Sequence, residues 1–363
     1  MSEDASGILH FAGFASPCRG NFISSMEALR LRLEAEGRQM VYLFPAATKQ
    51  RAWANELAEQ ANVYFLTNNY IKDIFLIRHL IKQYNIKIIH FHFYKLKYLF
   101  VFGLASLFKR TKKLLHLHCE MSIHSGVQGL LERILTHNKT FVGVSEEMAS
   151  QAKRNFPKNK TFCAKNAIFF ERLKAGEELD KQELGLSKTA KTLMVFGHDY
   201  QVKGVDLAVE AVSNLVESGK DLQLLVVVTS VEKTAAQTVE RFGSVPSFVH
   251  ILPARENVAE YYRLCDLFLA PSRKEGFSYA AVESSYLGLP IVLSDIAAHS
   301  QLVLPCGFYF RSGDVQHLEE QIALALEKAP QMSAELAQQA SELERIYRLD
   351  EWTKQITNIY NEM

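Results

Sequence analysis

The sequence predicts an α/β protein made of two doubly wound domains, each built on a parallel sheet. Short apolar runs alternate with longer amphipathic segments along nearly the whole chain, which is the pattern of βαβ units. The length of 363 residues is enough for about two domains of common size. We expect the two domains to face each other across a cleft, with ligands bound at the carboxyl ends of the strands.

The predicted strands fall into two series. The first comprises residues 8–13, 40–44, 63–66, 86–92, 113–118, 140–144 and 161–166. The second comprises residues 192–197, 222–229, 249–252, 267–270, 290–294 and 307–310. The polar segment 171–188 contains two glycines and is predicted to be the linker. The domains would therefore span residues 1–170 and 188–345, and an amphipathic helix is predicted for residues 346–363.

The composition is that of an ordinary soluble protein, with 48% hydrophobic and 22% charged residues. The cysteines are odd in number and scattered without metal-ligand spacing, which favours a reduced, cytoplasmic compartment over a disulfide framework or a zinc site. They are Cys18, Cys119, Cys163, Cys265 and Cys306. The acidic start of the chain does not resemble a signal peptide. The longest apolar run, residues 98–108, is too short to span a bilayer.

The net charge of +1 conceals a strong asymmetry. Residues 1–170 hold 23 Lys and Arg against 12 Asp and Glu, a net charge of +11, and the remainder holds 18 against 28, a net charge of −10. We therefore expect the first half to meet an anionic partner, and we expect no nucleic acid.

Basic residues flank the apolar run 98–108. On a helix they would form a cationic, aromatic surface suited to peripheral contact with the inner face of a membrane or with a lipid-diphosphate acceptor. A buried crossover helix with solvated ends explains the same pattern. The residues are Lys95, Lys97, Lys109, Arg110, Lys112 and Lys113.

A loop with two nearby glutamates follows the predicted strand 267–270. Glu275 lies in the loop beside Gly276, and Glu283 lies on the apolar-periodic segment that follows. The pattern predicts a strand, a loop and a helix start with a carboxylate on each side of the turn. Free N–H groups at a helix start bind phosphate, and carboxylates accept hydrogen bonds from sugar hydroxyls. The loop therefore suits a sugar joined to a phosphate.

The second half resembles the donor-binding domain of retaining family 4 glycosyltransferases, which belong to the glycosyl transferases group 1. The resemblance implies the GT-B architecture, two facing Rossmann-like domains with a cleft between them. The matching segments are residues 196–206, which end in a Lys-Gly phosphate loop, 256–266, 271–290 and 307–314. The first half is similar more loosely, at residues 116–118, 143–146 and 165–168. By the same analogy, the C-terminal helix packs back across the first domain.

The resemblance implies a role for individual residues on the donor side. Lys203 would place a cation on the donor diphosphate and stabilise the charge that develops on the leaving nucleotide. Glu275 would bind the donor sugar near its reacting carbon, and Glu283 would bind the ribose hydroxyls. The backbone N–H groups that would meet the phosphate or sugar are those of Gly276, Phe277 and Ser278.

The first half supplies fewer candidates. His118 would contact the donor sugar from the acceptor side. Three further histidines, at positions 90, 92 and 116, share its strand-end pattern, so a structural role explains them equally well. A metal cluster of the four is conceivable, although a transferase of this class needs none. Gly20 lies in a degenerate glycine loop that would approach the diphosphate.

His198 is the main departure from the family pattern, which usually has arginine at this position. A neutral histidine supplies less charge than a guanidinium, and its charge varies near neutral pH. Three readings stay open: a protonated His198 binds the phosphate, Arg19 or Arg273 replaces the missing cation, or activity is weak.

The sequence thus predicts a cytoplasmic, metal-independent, retaining glycosyltransferase without a cofactor. It would move a hexose or N-acetylhexosamine from a nucleotide diphosphate sugar, most simply a UDP-sugar, to a hydroxyl of a glycan or lipid-linked acceptor. A non-catalytic sugar-nucleotide or glycan-binding partner of an active enzyme is the alternative. A nucleotide-sugar epimerase of the same architecture fits the paired glutamates poorly.

Overall fold

The computed structural model describes residues 6–93, 95–106, 111–119 and 126–363. The chain divides into two compact units, one formed by Met1–Ala167 with Leu349–Met363 and the other by Ile168–Arg348.

The first unit is built on a seven-stranded parallel sheet in the order β3-β2-β1-β4-β5-β6-β7. Its strands are β1 (Gly7–Ala12), β2 (Gln39–Phe44), β3 (Asn62–Phe65), β4 (Ile86–His92), β5 (Lys112–Leu117), β6 (Thr140–Gly143) and β7 (Thr161–Cys163). The helices between them are α1 (Gly20–Ala35), α2 (Ala52–Gln60), α3 (Tyr70–Gln83), α4 (Leu96–Ala105), α5 (Gly126–Thr136) and α6 (Glu146–Asn155).

The second unit is built on a six-stranded parallel sheet in the order β10-β9-β8-β11-β12-β13. Its strands are β8 (Lys191–Phe196), β9 (Leu222–Val228), β10 (Val249–Pro253), β11 (Leu267–Ala270), β12 (Ile291–Ser294) and β13 (Gly307–Phe310). Its helices are α7 (Glu171–Lys174), α8 (Val205–Glu217), α9 (Val231–Phe242), α10 (Ala259–Tyr262), α11 (Tyr279–Tyr286), α12 (Ala297–Ser300), α13 (Val315–Lys328) and α14 (Ser333–Ile346).

Each of the thirteen predicted strands has its counterpart in the described part of the chain, which confirms the predicted α/β class with two parallel sheets. The central strands are buried along almost their whole length. Burial on both faces is expected when crossover helices cover both sides of a parallel sheet, and it explains why these strands appear as continuous apolar runs.

Helix α15 (Leu349–Glu362) returns to the first unit and packs against α1. Its apolar face, with Trp352, Ile356 and Ile359, is buried in the core of that unit. Tyr360 is buried too, so the end of the chain contributes to the interior of the first sheet.

The segment predicted to be a linker is part of the second unit. Leu173 and Leu186 are buried in the core of that unit, and the Arg263 guanidinium donates hydrogen bonds to the carbonyls of Leu173 and Ala175. The linker prediction was wrong because it rested on the mostly polar composition of the whole segment. The few leucines in it are spaced apart in sequence, and each of them packs against the core on its own.

The basic surface predicted around residues 98–108 is not one surface. Helix α4 buries Leu99, Val101 and Phe102 and exposes Phe100, so most of this run is a covered crossover helix. Lys112 and Lys113 lie on β5 instead, while the predicted contributions of residues 109 and 110 lie outside the described residues. Among the described helices, none combines the length and the apolarity that a membrane span requires.

Each sheet reverses its strand order at one point, between β1 and β4 in the first unit and between β8 and β11 in the second. Loops that leave neighbouring strands at such a point diverge to opposite faces and open a crevice, which is where open α/β sheets bind ligands. The predicted site residues concentrate at these two points.

Candidate functional site

The Lys203–Gly204 turn joins β8 to α8 and lies against the loop that follows β11. Gly204 has a left-handed backbone, with φ of +68°, and a Cβ at this position would lie 2.1 Å from the carbonyl oxygen of Pro271. The Arg273 N–H also donates to the Val202 carbonyl across 2.8 Å. Glycine is therefore required at position 204, and the two loops are held together at the switch point of the second sheet.

Lys203 and Glu275 form an ion pair across these loops. The Lys203 ammonium donates to Glu275 Oε1, and both side chains are largely buried. Ser272 Oγ donates to the same oxygen across 2.8 Å. Among the described residues, Glu275 Oε2 has no hydrogen-bond partner. One oxygen thus fixes the lysine, and the other can accept a hydrogen bond from a hydroxyl.

A buried series of hydrogen bonds that was not predicted from the sequence supports the backbone of the loop that carries Glu275. Ser294 Oγ donates to the Ser272 carbonyl across 2.6 Å, and His299 Nδ1 lies 2.9 Å from the Ser294 carbonyl. Burial lowers the pKa of His299, so its neutral ring donates through Nδ1. Ser294 ends β12 and His299 lies on the short helix α12, so only the pairing of β11 with β12 brings them to Ser272.

The backbone at the start of α11 offers open donors beside this ion pair. In the described part of the chain, no acceptor lies within hydrogen-bonding distance of the N–H groups of Gly276, Phe277 and Ser278. Orphan N–H groups at a helix start, next to a lysine, form an electropositive concavity that suits phosphate.

Glu283 lies on α11 and is buried. Its Oε1 is ion-paired with the Arg172 guanidinium, and the Tyr262 hydroxyl donates to Oε2 across 3.3 Å. Arg172 belongs to the segment predicted as a linker, so the sequence analysis missed it. A ribose hydroxyl that bound Glu283 would have to join or replace these contacts.

The surroundings of His198 bear on the three interpretations of how the missing arginine charge is replaced. Desolvation by the surrounding protein, and then the nearby Lys203 ammonium, lower the pKa of His198 to about 4. The ring is therefore neutral at neutral pH in the ligand-free protein. Arg273 is not a free replacement, because its guanidinium makes two hydrogen bonds of 2.8 and 2.7 Å to Asp206. Arg19, in the first unit, is ion-paired with Glu27.

Gly20 begins helix α1 in the first unit. Its backbone is left-handed, with φ of +58°, and no atom lies within 4 Å of the position of a Cβ. Glycine is favoured at this position by its backbone conformation and not by close packing. No described atom occupies the space that a side chain would take.

Five histidines and one tyrosine form a continuous hydrogen-bonded chain at the switch point of the first sheet. His118 Nε2 lies 3.0 Å from His92 Nδ1, and His92 Nε2 lies 3.2 Å from His10 Nδ1. The Tyr360 hydroxyl bridges His10 Nε2 at 3.0 Å and His90 Nδ1 at 2.6 Å. His90 Nε2 then lies 3.2 Å from Nδ1 of the last member, His116.

The sheet register explains this chain. His10 is in register with His90, and His92 is in register with His116. Residues in register, and residues two apart on one strand, point to the same face of a sheet. The sequence analysis singled out four of the histidines but missed His10 and Tyr360, since neither the register nor the position of α15 is visible in the sequence.

The direction in which donors follow acceptors along these hydrogen-bonded rings fixes the tautomer of His118. Burial lowers the pKa of all five histidines, so each ring has one donor and one acceptor. Among the described residues, the buried Nε2 of His116 has no partner. A bare nitrogen there costs less than a stranded N–H. Each group therefore donates to the next in the order from His116 to His118. His118 accepts through Nε2, so its own hydrogen is on Nδ1, where it can act as a donor.

The same rings are the candidate metal ligands of the described residues. His10, His90 and His92, and likewise His92, His116 and His118, have ligand atoms within 4.8 Å of one another. Apart from His116 Nε2 and His118 Nδ1, their ring nitrogens are engaged in the hydrogen-bonded chain, so a metal ion held by either group of three would have to replace at least one of these bonds. That the protein works without a metal ion stays a prediction.

Comparison with solved structures identifies the class of fold. A glycosyltransferase from Rickettsia africae ESF-5 superposes with a TM-score of 0.78 at 16% identity, covering 99% of this chain and 98% of that one. HepE from Anabaena in complex with UDP superposes with a TM-score of 0.75 at 17% identity, covering 99% of this chain and all of the other. The fold is that of the GT-B glycosyltransferases, as the sequence predicted.

Sequence comparison gives the more particular relationship. Residues 190–328 match the family model of the glycosyl transferases group 1. The lipopolysaccharide core biosynthesis mannosyltransferase LpsB of Rhizobium meliloti is 24% identical over 193 residues, and the lipopolysaccharide glucosyltransferase WaaG of Escherichia coli is 27% identical over 188 residues. Each match covers 50% of this chain, and 55% and 50% of the respective relative. The chain thus spans about half the length of these curated relatives.

Proposed function

We propose that this chain is a retaining, metal-independent glycosyltransferase that acts on a nucleotide diphosphate sugar. It transfers a hexose or N-acetylhexosamine to a hydroxyl acceptor in the assembly of a cell-surface polysaccharide or glycoconjugate. The observation that carries the proposal is the buried Lys203–Glu275 pair at the switch point of the second sheet, beside three open N–H groups.

In this proposal the donor phosphates lie on the N–H groups of residues 276–278, with the Lys203 ammonium beside them. As the bond from the sugar to phosphate breaks, negative charge grows on the leaving phosphate, and a fixed ammonium stabilises that charge. Glu275 Oε2 accepts a hydrogen bond from a sugar hydroxyl. The acceptor oxygen attacks from the face of the leaving group, and its proton passes to the leaving phosphate oxygen.

The first unit contributes His118 on the acceptor side. With its hydrogen on Nδ1, the neutral ring donates a hydrogen bond and does not act as a base, which agrees with a mechanism in which the leaving phosphate takes the acceptor proton. The net charge of +11 on residues 1–170 supports an anionic acceptor or peripheral contact with an anionic membrane.

The identity of the donor is supported by the relatives. UDP is the nucleotide in the Anabaena HepE complexes, one of which contains UDP-glucose, and the similar enzymes are named for glucose and mannose transfer. A UDP-hexose is therefore the first donor to test, with a GDP-hexose second.

The test combines binding and turnover on the purified chain. Calorimetry with UDP, GDP, ADP and CDP identifies the base. Incubation of the matching sugar nucleotides with lipid-linked glycan extracts then shows transfer, and the anomeric proton coupling of the product shows whether configuration is retained. Lys220→Ala, which changes an exposed lysine of the same unit, is the control for Lys203→Ala. Transfer at full rate by Lys203→Ala would contradict the proposed mechanism.

A second candidate is a sugar-nucleotide or glycan-binding subunit without turnover. It is favoured by the neutral His198 and by the ion pairs that already engage Arg273 and Lys203. Tight UDP binding without transfer in any extract would support this candidate, and transfer by the purified chain alone would exclude it.

A further inference from the structure

A pocket of about 580 Å³ lies at the amino ends of β5, β6 and β7 in the first unit. Because the strands are parallel, this is the edge of the sheet opposite to His118. β5 alone separates the two edges by about 20 Å at ~3.3 Å per residue. The pocket is therefore distinct from the site described above.

Five lysines line this pocket, and no Asp or Glu side chain does. Among the residues that the structure describes, none of the five has a carboxylate partner within 4 Å. If Met363, which also lines the pocket, carries an α-carboxylate, four positive charges still remain in excess. The lysines are Lys112, Lys113, Lys139, Lys158 and Lys160.

This concentration of charge is unfavourable in the free protein. Burial, and then the neighbouring Lys113, lower the pKa of Lys139 to about 8, and burial also lowers the pKa of Lys113. Surface lysines ordinarily extend into water or pair with carboxylates. Here two of them are half-buried beside each other, so a bound anion would relieve both the repulsion and the desolvation.

The rest of the lining is mostly polar, with threonine, asparagine and histidine side chains. Asn159, which also lines the pocket, is fixed by hydrogen bonds of 2.7 and 2.8 Å that its amide group donates to the carbonyls of Thr136 and Lys139. In the described part of the chain, no Phe, Tyr or Trp side chain lines the pocket, and His137 is the one ring in its lining, so it lacks the successive aromatic surfaces on which nucleic-acid bases stack.

We infer that this lysine pocket is a binding site for a phosphate-bearing ligand larger than a single phosphate, such as a diphosphate or the headgroup of an anionic lipid. The volume lies within the range of about 300–1,000 Å³ that is usual for ligand pockets, and lysine is a phosphate-binding residue whose three donors adapt to the oxygens. The inference does not rest on the proposed function, since the pocket shares no residue with the transferase site.

The test uses a pair of substitutions and a matched pair as control. Lys113→Gln with Lys139→Gln removes two charges from the pocket, and Lys72→Gln with Lys82→Gln removes two exposed lysines from α3 in the same unit. All proteins also carry Lys203→Ala, so that the transferase site contributes less to binding. Two ligands are offered: inorganic pyrophosphate, followed by calorimetry, and vesicles of phosphatidylcholine with or without a fifth of phosphatidylglycerol, followed by sedimentation.

We expect the control pair to bind like the parent and the pocket pair to bind at least ten-fold more weakly, with binding that weakens as salt rises. Binding of pyrophosphate alone assigns a free phosphorylated ligand, and binding of the anionic vesicles alone assigns a lipid headgroup. Equal binding by the two pairs, or no binding of either ligand by the parent, overturns the inference. A thermal melt of each protein shows whether a loss of binding reflects unfolding.

Discussion

The Tyr360 hydroxyl lies 2.6 Å from His90 Nδ1, although the two residues are 270 positions apart in the chain. Tyr360 comes from the C-terminal helix and His90 from the middle of the first sheet. This one hydroxyl joins three histidines, His10, His92 and His118, to a pair, His90 and His116, in a single hydrogen-bonded chain. The C-terminal helix therefore completes the hydrogen-bonded chain that contains His118, the ring proposed for the acceptor side.

Tyr360→Phe should divide this chain. The change leaves His10 Nε2 and His90 Nδ1 without partners and should cost about 1–3 kcal/mol of the free energy of unfolding. It should also free the His90–His116 pair to donate in either direction, because each direction then strands one N–H. The bare Nε2 of His10 should still hold the hydrogen of His118 on Nδ1. The ring-nitrogen chemical shifts of the histidines would report both. Tyr64→Phe, which removes a half-buried hydroxyl bonded to Tyr84, is the control, and a changed His118 tautomer in Tyr360→Phe would refute the argument.

The first unit should be sensitive to acid. Burial lowers the pKa of His10 and His116 to about 3 and that of His90, His92 and His118 well below the usual value of 6.5. Between these values the unfolded chain binds protons that the folded chain does not, so stability falls as pH falls below 6.5. Each histidine contributes a slope of about 1.4 kcal/mol per pH unit.

Urea unfolding in the presence of EDTA at pH 7, 6 and 5 measures this slope. His92→Gln should reduce this slope by the contribution of one histidine, about 1.4 kcal/mol per pH unit. His79→Gln, which replaces an exposed histidine of the same unit, should leave the slope unchanged. Parallel slopes for the two variants would show that the buried rings do not carry the effect.

Gly204→Ala should disrupt the proposed donor site. An alanine at this position combines the strain of a left-handed backbone, about 1–2 kcal/mol, with a Cβ placed 2.1 Å from the Pro271 carbonyl oxygen. Gly219→Ala is a matched control, because Gly219 also has a positive φ but no atom within 4 Å of a Cβ. We expect the Gly204 variant to melt at a lower temperature than the Gly219 variant and to lose nucleotide binding. Equal melting temperatures would contradict the close approach.

Breaking the pair of Arg172 with Glu283 should be costly. Arg172→Ala leaves a buried carboxylate without its cation, and we expect a loss of about 3–5 kcal/mol in the free energy of unfolding. Arg241→Ala, which breaks an exposed pair with Glu210, should cost no more than about 1 kcal/mol. Adding Glu283→Gln to Arg172→Ala should recover part of the loss. A double variant less stable than Arg172→Ala would mean that Glu283 is held mainly by other contacts.

Lys203→Ala should lower kcat by about 10²–10³, the usual effect of removing one group that stabilises transition-state charge. Glu275→Gln keeps the size of the side chain and should act mainly on sugar binding, so its KM for the donor should rise. Initial rates at saturating and limiting donor separate the two effects. An unchanged kcat for Lys203→Ala, measured beside Lys220→Ala, would remove the lysine from the proposed mechanism.

The strands and the strand-end loops that carry Lys203 and Glu275 were predictable because their signals are local. An apolar run flanked by turn residues specifies a buried strand, and a Lys-Gly turn or a Glu-Gly-Phe loop acts through its own backbone. Arg172 and His299 were missed because each reaches the site from a segment with no distinctive pattern, and the first lies in what looked like a linker.

By itself, the sequence determined the two parallel sheets and the position of Lys203, Gly204 and Glu275 at strand ends, since hydrophobic periodicity and backbone geometry act over a few residues. Only the tertiary structure decided that Lys203 pairs with Glu275, that Arg172 pairs with Glu283, and that His10 and Tyr360 complete the chain to His118. These contacts depend on strand order, on register and on where the last helix packs. Such relations join distant parts of the chain, and no local pattern encodes them.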